Sequence, residues 1–280
     1  MSMMYRNCFS RIFLIFDTEN AISMKPRIVL TFLLMVLMLS CGRQQPENQS
    51  EQSFQLQVMS YNVRHCAGMD LVVDYDRTAA VIIQQQPDVV AIQELDSMTG
   101  RSGQCYQLGE LASRTSYYPT FGSAIDYDGG KYGVGILSRE QPLNSKSIPL
   151  PGEEPRVLLV AEMKDYVLAC THLDLEEEAR LASVPLIVEE AQQWQKPFIL
   201  TGDWNDTLGS ALLQEMSKHF TILSRNEPTY PADEPQECID YIAVFKIHPV
   251  EALDPKVIDE PAASDHRPLM IKLRLSLRSY

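Results

Sequence analysis

The sequence predicts a layered α/β domain with a mixed sheet, on three observations. Strand-period and helix-period apolar patterns alternate along the chain after residue 54. Two strand candidates, Val157–Met163 and Tyr166–Thr171, follow one another with no room for a helix. Part of the sheet is therefore antiparallel, and a purely doubly wound parallel sheet is disfavoured. No internal repeat, low-complexity block or Gly/Ser-rich linker divides the stretch, so residues 54–280 read as one domain.

The elements follow in order. Phe54, Leu56 and Val58 alternate with Gln55 and Gln57, the pattern of a half-buried strand. Asp76–Gln86 has helical spacing and is stopped by Pro87-Asp88. Val89–Gln93 is a short buried strand. Leu108–Arg114 is predicted as a helix, and Tyr132–Ser138, Val157–Met163 and Tyr166–Thr171 as strands. Glu176–Trp194 is helical, with a kink expected at Pro185. Its opening Glu176-Glu177-Glu178 run suits the positive end of a helix dipole. Phe198–Thr201 is a buried strand and Ser210–Lys218 a helix. Ile239–Phe245 and Pro268–Leu275 are the last two strands.

The chain has 280 residues, 45% apolar and 22% charged, which is globular composition with material for a sizeable core. Its 24 basic and 37 acidic residues give a net charge of −13. Sequence-independent duplex binding needs Lys and Arg to neutralise phosphates, so a nucleic-acid partner is not favoured.

The N-terminus reads as an address. Lys25-Pro26-Arg27 precede the apolar run from Ile28 to Leu39, which is shorter than the ~20 residues that span a bilayer. The run ends Leu39-Ser40-Cys41-Gly42, which resembles a bacterial lipobox in which the cysteine carries the lipid. Residues 1–40 are expected to be a signal segment, with 1–23 an upstream mis-start before Met24, and 41–53 a polar tether. The expected location is the cell envelope, periplasmic or outer-membrane, with the membrane reached through a lipid on Cys41. Of the six cysteines, Cys66, Cys105, Cys170 and Cys238 follow that segment. Their spacing fits no zinc pattern and singles out no bridge.

The polar residues carry the functional information. Asn62, Glu94, His172 and Asp203 each fall at the C-terminal end of a predicted strand. Asp240 opens a strand, and Asp265-His266 precede one. Taken singly, each has a plain structural reading: Asn62 and Asp203 as turn residues, Glu94 as a solvated cap, His172 as a satisfied core histidine. Taken together they describe one site, because buried carboxylates are costly unless paired or bound to a cation. Oxygen donors with few thiolates suit Mg²⁺, Mn²⁺ or Ca²⁺.

In sequence order, Met59-Ser60-Tyr61-Asn62-Val63, Pro87 to Glu94, Tyr132 to Ser138, Thr171-His172-Leu173-Asp174, Thr201-Gly202-Asp203-Trp204-Asn205, Ile239-Asp240-Tyr241-Ile242 and Ser264-Asp265-His266-Arg267-Pro268-Leu269 stand along the chain. These blocks resemble the endonuclease/exonuclease/phosphatase superfamily over about residues 54 to 275. Trp204 stands where that family usually has Phe. The resemblance implies a four-layer sandwich, two packed mixed β-sheets flanked by helices, with the site at one rim. It implies a metal site at Glu94 with Asn62 and Asp265. It assigns Asp203 to the attacking water, His266 with Asp240 to the phosphoryl group, Asn205 to a phosphate oxygen, and His172 to another phosphate oxygen or to protonating the leaving group. The expected function is divalent-metal-dependent hydrolysis of a small or lipid-linked phosphate ester by a monomer. A secreted or tethered nuclease and a non-catalytic surface lipoprotein are the alternatives. Arg101, Lys131, Arg156 and His65 are secondary candidates for contacting anionic substrate groups.

Overall fold

The computed structural model describes residues 53–248 and 250–276. The expected signal segment, the Cys41 lipid site and nearly all of the tether lie outside them. Among the described residues no helix is long and apolar enough to cross a membrane.

Two six-stranded sheets form the centre. The first has the order β11-β12-β1-β2-β4-β3, built from Ser53–Asn62 (β1), Val89–Ser97 (β2), Tyr118–Tyr127 (β3), Gly130–Ser138 (β4), Glu251–Val257 (β11) and Leu269–Ser276 (β12). The second has the order β5-β6-β7-β8-β10-β9, built from Asn144–Leu150 (β5), Arg156–Glu162 (β6), Val167–His172 (β7), Phe198–Asp203 (β8), Phe220–Ile222 (β9) and Asp240–Phe245 (β10). β6 and β7 pair antiparallel, as their short connection requires, while β1–β2 and β7–β8 are parallel.

Strand alternation divides the apolar residues among three layers of core. Leu56, Val58, Val89, Ala91, Leu168 and Ile199 fill the space between the sheets. Met59, Tyr61, Val90 and Ile92 face outward from the first sheet, onto helices α1 (Tyr75–Gln85) and α2 (Gln107–Thr115). Val167, Ala169, Phe198 and Leu200 face outward from the second sheet, onto α3 (Glu177–Gln192) and α4 (Ala211–His219). The result is the four-layer sandwich. The helix starts have local causes. Asp74 accepts the Arg77 amide at 2.9 Å to open α1, and Ser210 accepts the Leu213 amide at 3.2 Å to open α4. α3 runs as one helix through Pro185.

The four strands that the sequence pattern did not announce, β3, β5, β9 and β11, are the four sheet edges. An edge strand buries little, so its alternation is weak, and three of these carry a proline (Pro119, Pro149, Pro255) that only an edge tolerates. Cys66, Cys105, Cys170 and Cys238 are all unpaired thiols.

Candidate active site

Parity positions most of the site. On β1 the inter-sheet face reads Leu56, Val58, Ser60, Asn62; on β7 it reads Leu168, Cys170, His172; on β8, Ile199, Thr201, Asp203. Each strand thus runs from apolar to polar as it nears the same rim. Register carries this across strands, with His172 opposite Asp203 and Asp203 opposite Asp240. Gly202 makes the close approach possible. Its φ is +151°, and a Cβ there would lie 1.9 Å from the Thr171 carbonyl oxygen.

Glu94 breaks the parity. The pattern Val90, Ile92 would aim Glu94 at the helices. A bulge between Ile92 and Leu95, with Glu94 at φ +59°, gives that place to Leu95 and frees the carboxylate. Glu94 was expected to end its strand; β2 instead continues to Ser97.

Asn62 joins the two sheets. Its amide donates to Glu94 Oε1 at 3.0 Å and to Asp203 Oδ2 at 3.1 Å, and lies 3.5 Å from His266 Nε2. Its Oδ1 accepts the Arg64 amide at 3.1 Å, inside a turn where Arg64, His65 and Cys66 all have positive φ. Asn62 therefore turns its N–H groups, not its carbonyl oxygen, toward the carboxylates. Asp240 Oδ2 lies 2.9 Å from His266 Nδ1 and accepts the Thr229 hydroxyl at 2.6 Å. His172 Nε2 and His266 Nε2 each stand 3.6 Å from Asp203 Oδ2. Tyr230 packs beside the His266 ring, centroids 4.9 Å apart.

The charges are polarised by the surroundings. Burial opposes the imidazolium of His266, but Asp240 and Asp203 outweigh it and push its pKa up to about 10. Burial, helped by Arg156 and His266, holds His172 neutral. Burial and the Asp240 charge raise Asp203. Burial likewise raises Glu94, against the Asn62 hydrogen bond and His266.

The remaining expected residues stand at the margin. Asp265 is half-buried, 3.3 Å from Arg64 Nε, and its charge raises Glu94. Asn205, at φ +52°, gives its backbone N–H to Asp203 Oδ1 at 2.9 Å and its side-chain amide to the Leu173 carbonyl at 2.8 Å. Thr229 escaped sequence reasoning, since a lone threonine in a Pro-flanked loop carries no pattern. Arg156 is buried rather than a surface charge. Its guanidinium acts on both Glu94 and His172, and its Nε has no hydrogen-bond partner among the described residues. Lys131 instead pairs with Asp126, and Arg101 with Asp96.

The donor set fits a divalent cation. Glu94 and Asp203 share the Asn62 amide, and ligand atoms of Asp203, Asp240 and His266 lie within 4.8 Å of one another. Hard carboxylate oxygens in excess of nearby cations are the environment such an ion requires.

The endonuclease/exonuclease/phosphatase family model matches residues 59–266, which is most of the chain. The chain belongs to the endonuclease/exonuclease/phosphatase family. No curated protein matches the sequence. Solved structures with the same fold include a family member from Beutenbergia cavernae (23% identity, TM-score 0.69, covering 79% of this chain and 72% of that one). Another is from Bacteroides vulgatus (20%, 0.66, 80% and 100%), and a third is the mannosyl-6-phosphatase of Bacteroides thetaiotaomicron (18%, 0.62, 78% and 99%). Family membership and the buried carboxylate–histidine cluster make this chain a divalent-metal-dependent hydrolase of phosphate esters.

Proposed function

We propose that the chain hydrolyses a small or lipid-linked phosphate ester by in-line attack of water. The observation that carries this reading is the Asn62 amide bridging Glu94 of one sheet and Asp203 of the other. It brings a cation-binding carboxylate and a proton-accepting one to a single phosphoryl group. Glu94, assisted by Asp265 and oriented by Asn62, is the group that would hold Mg²⁺, Mn²⁺ or Ca²⁺. When bound, the cation supplies Lewis-acid stabilisation of charge on the phosphoryl oxygens.

The chain's own residues do the rest. Asp203, raised by burial, accepts the proton of the attacking water. His266 Nε2–H donates to a phosphoryl oxygen, with its orientation and its charged form held by Asp240. Neutral His172 and the second amide hydrogen of Asn205 contact the other oxygens, and Arg156 offsets their charge. The Bacteroides thetaiotaomicron relative is a mannosyl-6-phosphatase, so phosphomonoesters belong beside diesters among the substrates to test.

The test is a substrate panel with each cation: bis(p-nitrophenyl) phosphate, hexose 6-phosphates, inositol phosphates, phospholipids, RNA and plasmid DNA. Glu94→Ala and chelation should each abolish hydrolysis of the accepted ester. Activity that survives both removes Glu94 from the metal site, and preferred cleavage of nucleic acid at low enzyme concentration replaces the reading with the nuclease one. The envelope location belongs to the same proposal. Cys41→Ser should move the protein from the membrane to the soluble fraction, and an unchanged fractionation discards the lipid anchor.

A further inference from the structure

Eight of the twelve large apolar side chains exposed among the described residues lie on one rim of the sandwich. It is the rim where β1, β2, β7 and β8 end and where β10 and β12 begin, so it surrounds the site. Leu71 and Val72, exposed by 70% and 57%, follow β1; Met98 follows β2; Leu175, exposed by 70%, follows β7; Leu208 follows β8. Tyr118, Leu143 and Ile247, at the opposite rim, and Ile83, on α1, are the exceptions.

These tips are built, not frayed. Arg77 clamps the first loop, with Nη1 on Asp70 at 2.9 Å and Nη2 on the Val72 carbonyl at 2.7 Å, while the Ala67–Val73 bridge closes its base. A single buried arginine braces the Leu175 and Leu208 loops together. Arg180 donates to the carbonyls of Asp174 and Leu175 and lies 3.1 Å from Asp206. Ordered loops that hold leucines in water on one side of a protein mark an interaction surface.

We infer that this rim docks on the interfacial zone of a lipid bilayer with little net negative charge, and that the ester is a headgroup phosphate presented there. The inference rests on the hydrolase reading above and names its substrate class. Apolar tips come from loops of both sheets around a polar pocket. That arrangement matches an amphipathic lipid, whose phosphate enters the pocket while its chains stay level with the leucines. Arg77 and Arg180 are matched by Asp70 and Asp206, so these loops present no net positive charge, and the chain's −13 repels an anionic bilayer.

The experiment places one tryptophan at a time in the full chain, as Leu71→Trp, Leu175→Trp and, on the opposite rim, Leu143→Trp. Fluorescence is read on phosphatidylcholine vesicles with and without brominated acyl chains, after subtracting the unmodified protein. Bromide should quench Leu71→Trp and Leu175→Trp and leave Leu143→Trp unchanged, and admixed phosphatidylglycerol should weaken the effect. Whatever attaches the chain to the vesicle, the signal reports which rim meets lipid. Equal quenching at all three positions, or none at any, overturns the inference. Each variant should keep its rate on whichever water-soluble ester of the panel above is accepted. Absence of that rate in the unmodified protein counts against the hydrolase reading instead, and leaves the quenching result to stand or fall separately.

Discussion

The two sheets bring unlike chemistry to the pocket. The first contributes the bulged Glu94, a group suited to a cation, and the Asn62 amide that orients it; the second contributes His172, Asp203 and Asp240, groups suited to moving protons. At the site, Asn62 and His266 cross between them. Asn62 reaches Asp203, and His266, from the loop before β12 of the first sheet, reaches Asp240. A divided pocket lets each half be tuned separately, because changes that alter cation affinity need not alter proton affinity. The halves still meet at Asp203 Oδ2, which lies 3.1 Å from the Asn62 amide and 3.6 Å from both imidazoles.

The sharpest way to break this division is His266→Ala. It should lower turnover by roughly 10²–10⁴-fold, the range for a lost acid–base group, with the cation concentration for half-maximal rate unchanged. A metal titration that shifts along with turnover would merge the two halves into one. A smaller effect is expected from Thr229→Val, which removes the 2.6 Å hydrogen bond to Asp240 and keeps the shape. A hydrogen bond to a charged group contributes about 1.5–3 kcal/mol, so turnover should fall by roughly tenfold to a hundredfold. Thr229→Ser should restore most of it. Failure of Ser to rescue would make Thr229 a packing residue rather than one that positions the Asp240–His266 pair.

The inner and outer strands show why some of the fold was legible and some was not. The eight inner strands are mostly buried and appear as apolar runs or strong alternation. The four edges hold polar sequences such as Asn144-Ser145-Lys146-Ser147, whose strand state is set by a neighbour's backbone rather than by burial. The site divides in the same way. Asn62, His172 and Asp203 stand at strand ends in the sequence, and alternation alone puts them on a common face. Glu94 was legible as an acid after a buried strand, but its direction comes from a bulge that no local pattern announces. Arg156 looked like any other surface charge, and only packing makes it a buried cation acting on Glu94 and His172.

From the sequence alone came the layered α/β class, the inner strands and the residue types of a phosphoester site, because apolar periodicity and motif order are properties of short stretches. Tertiary structure decided the edges, the orientation of Glu94, the Thr229–Asp240–His266 chain and the ring of apolar tips. These depend on which distant segments come within a few ångströms of one another, and that is fixed only when both sheets have closed over their shared core.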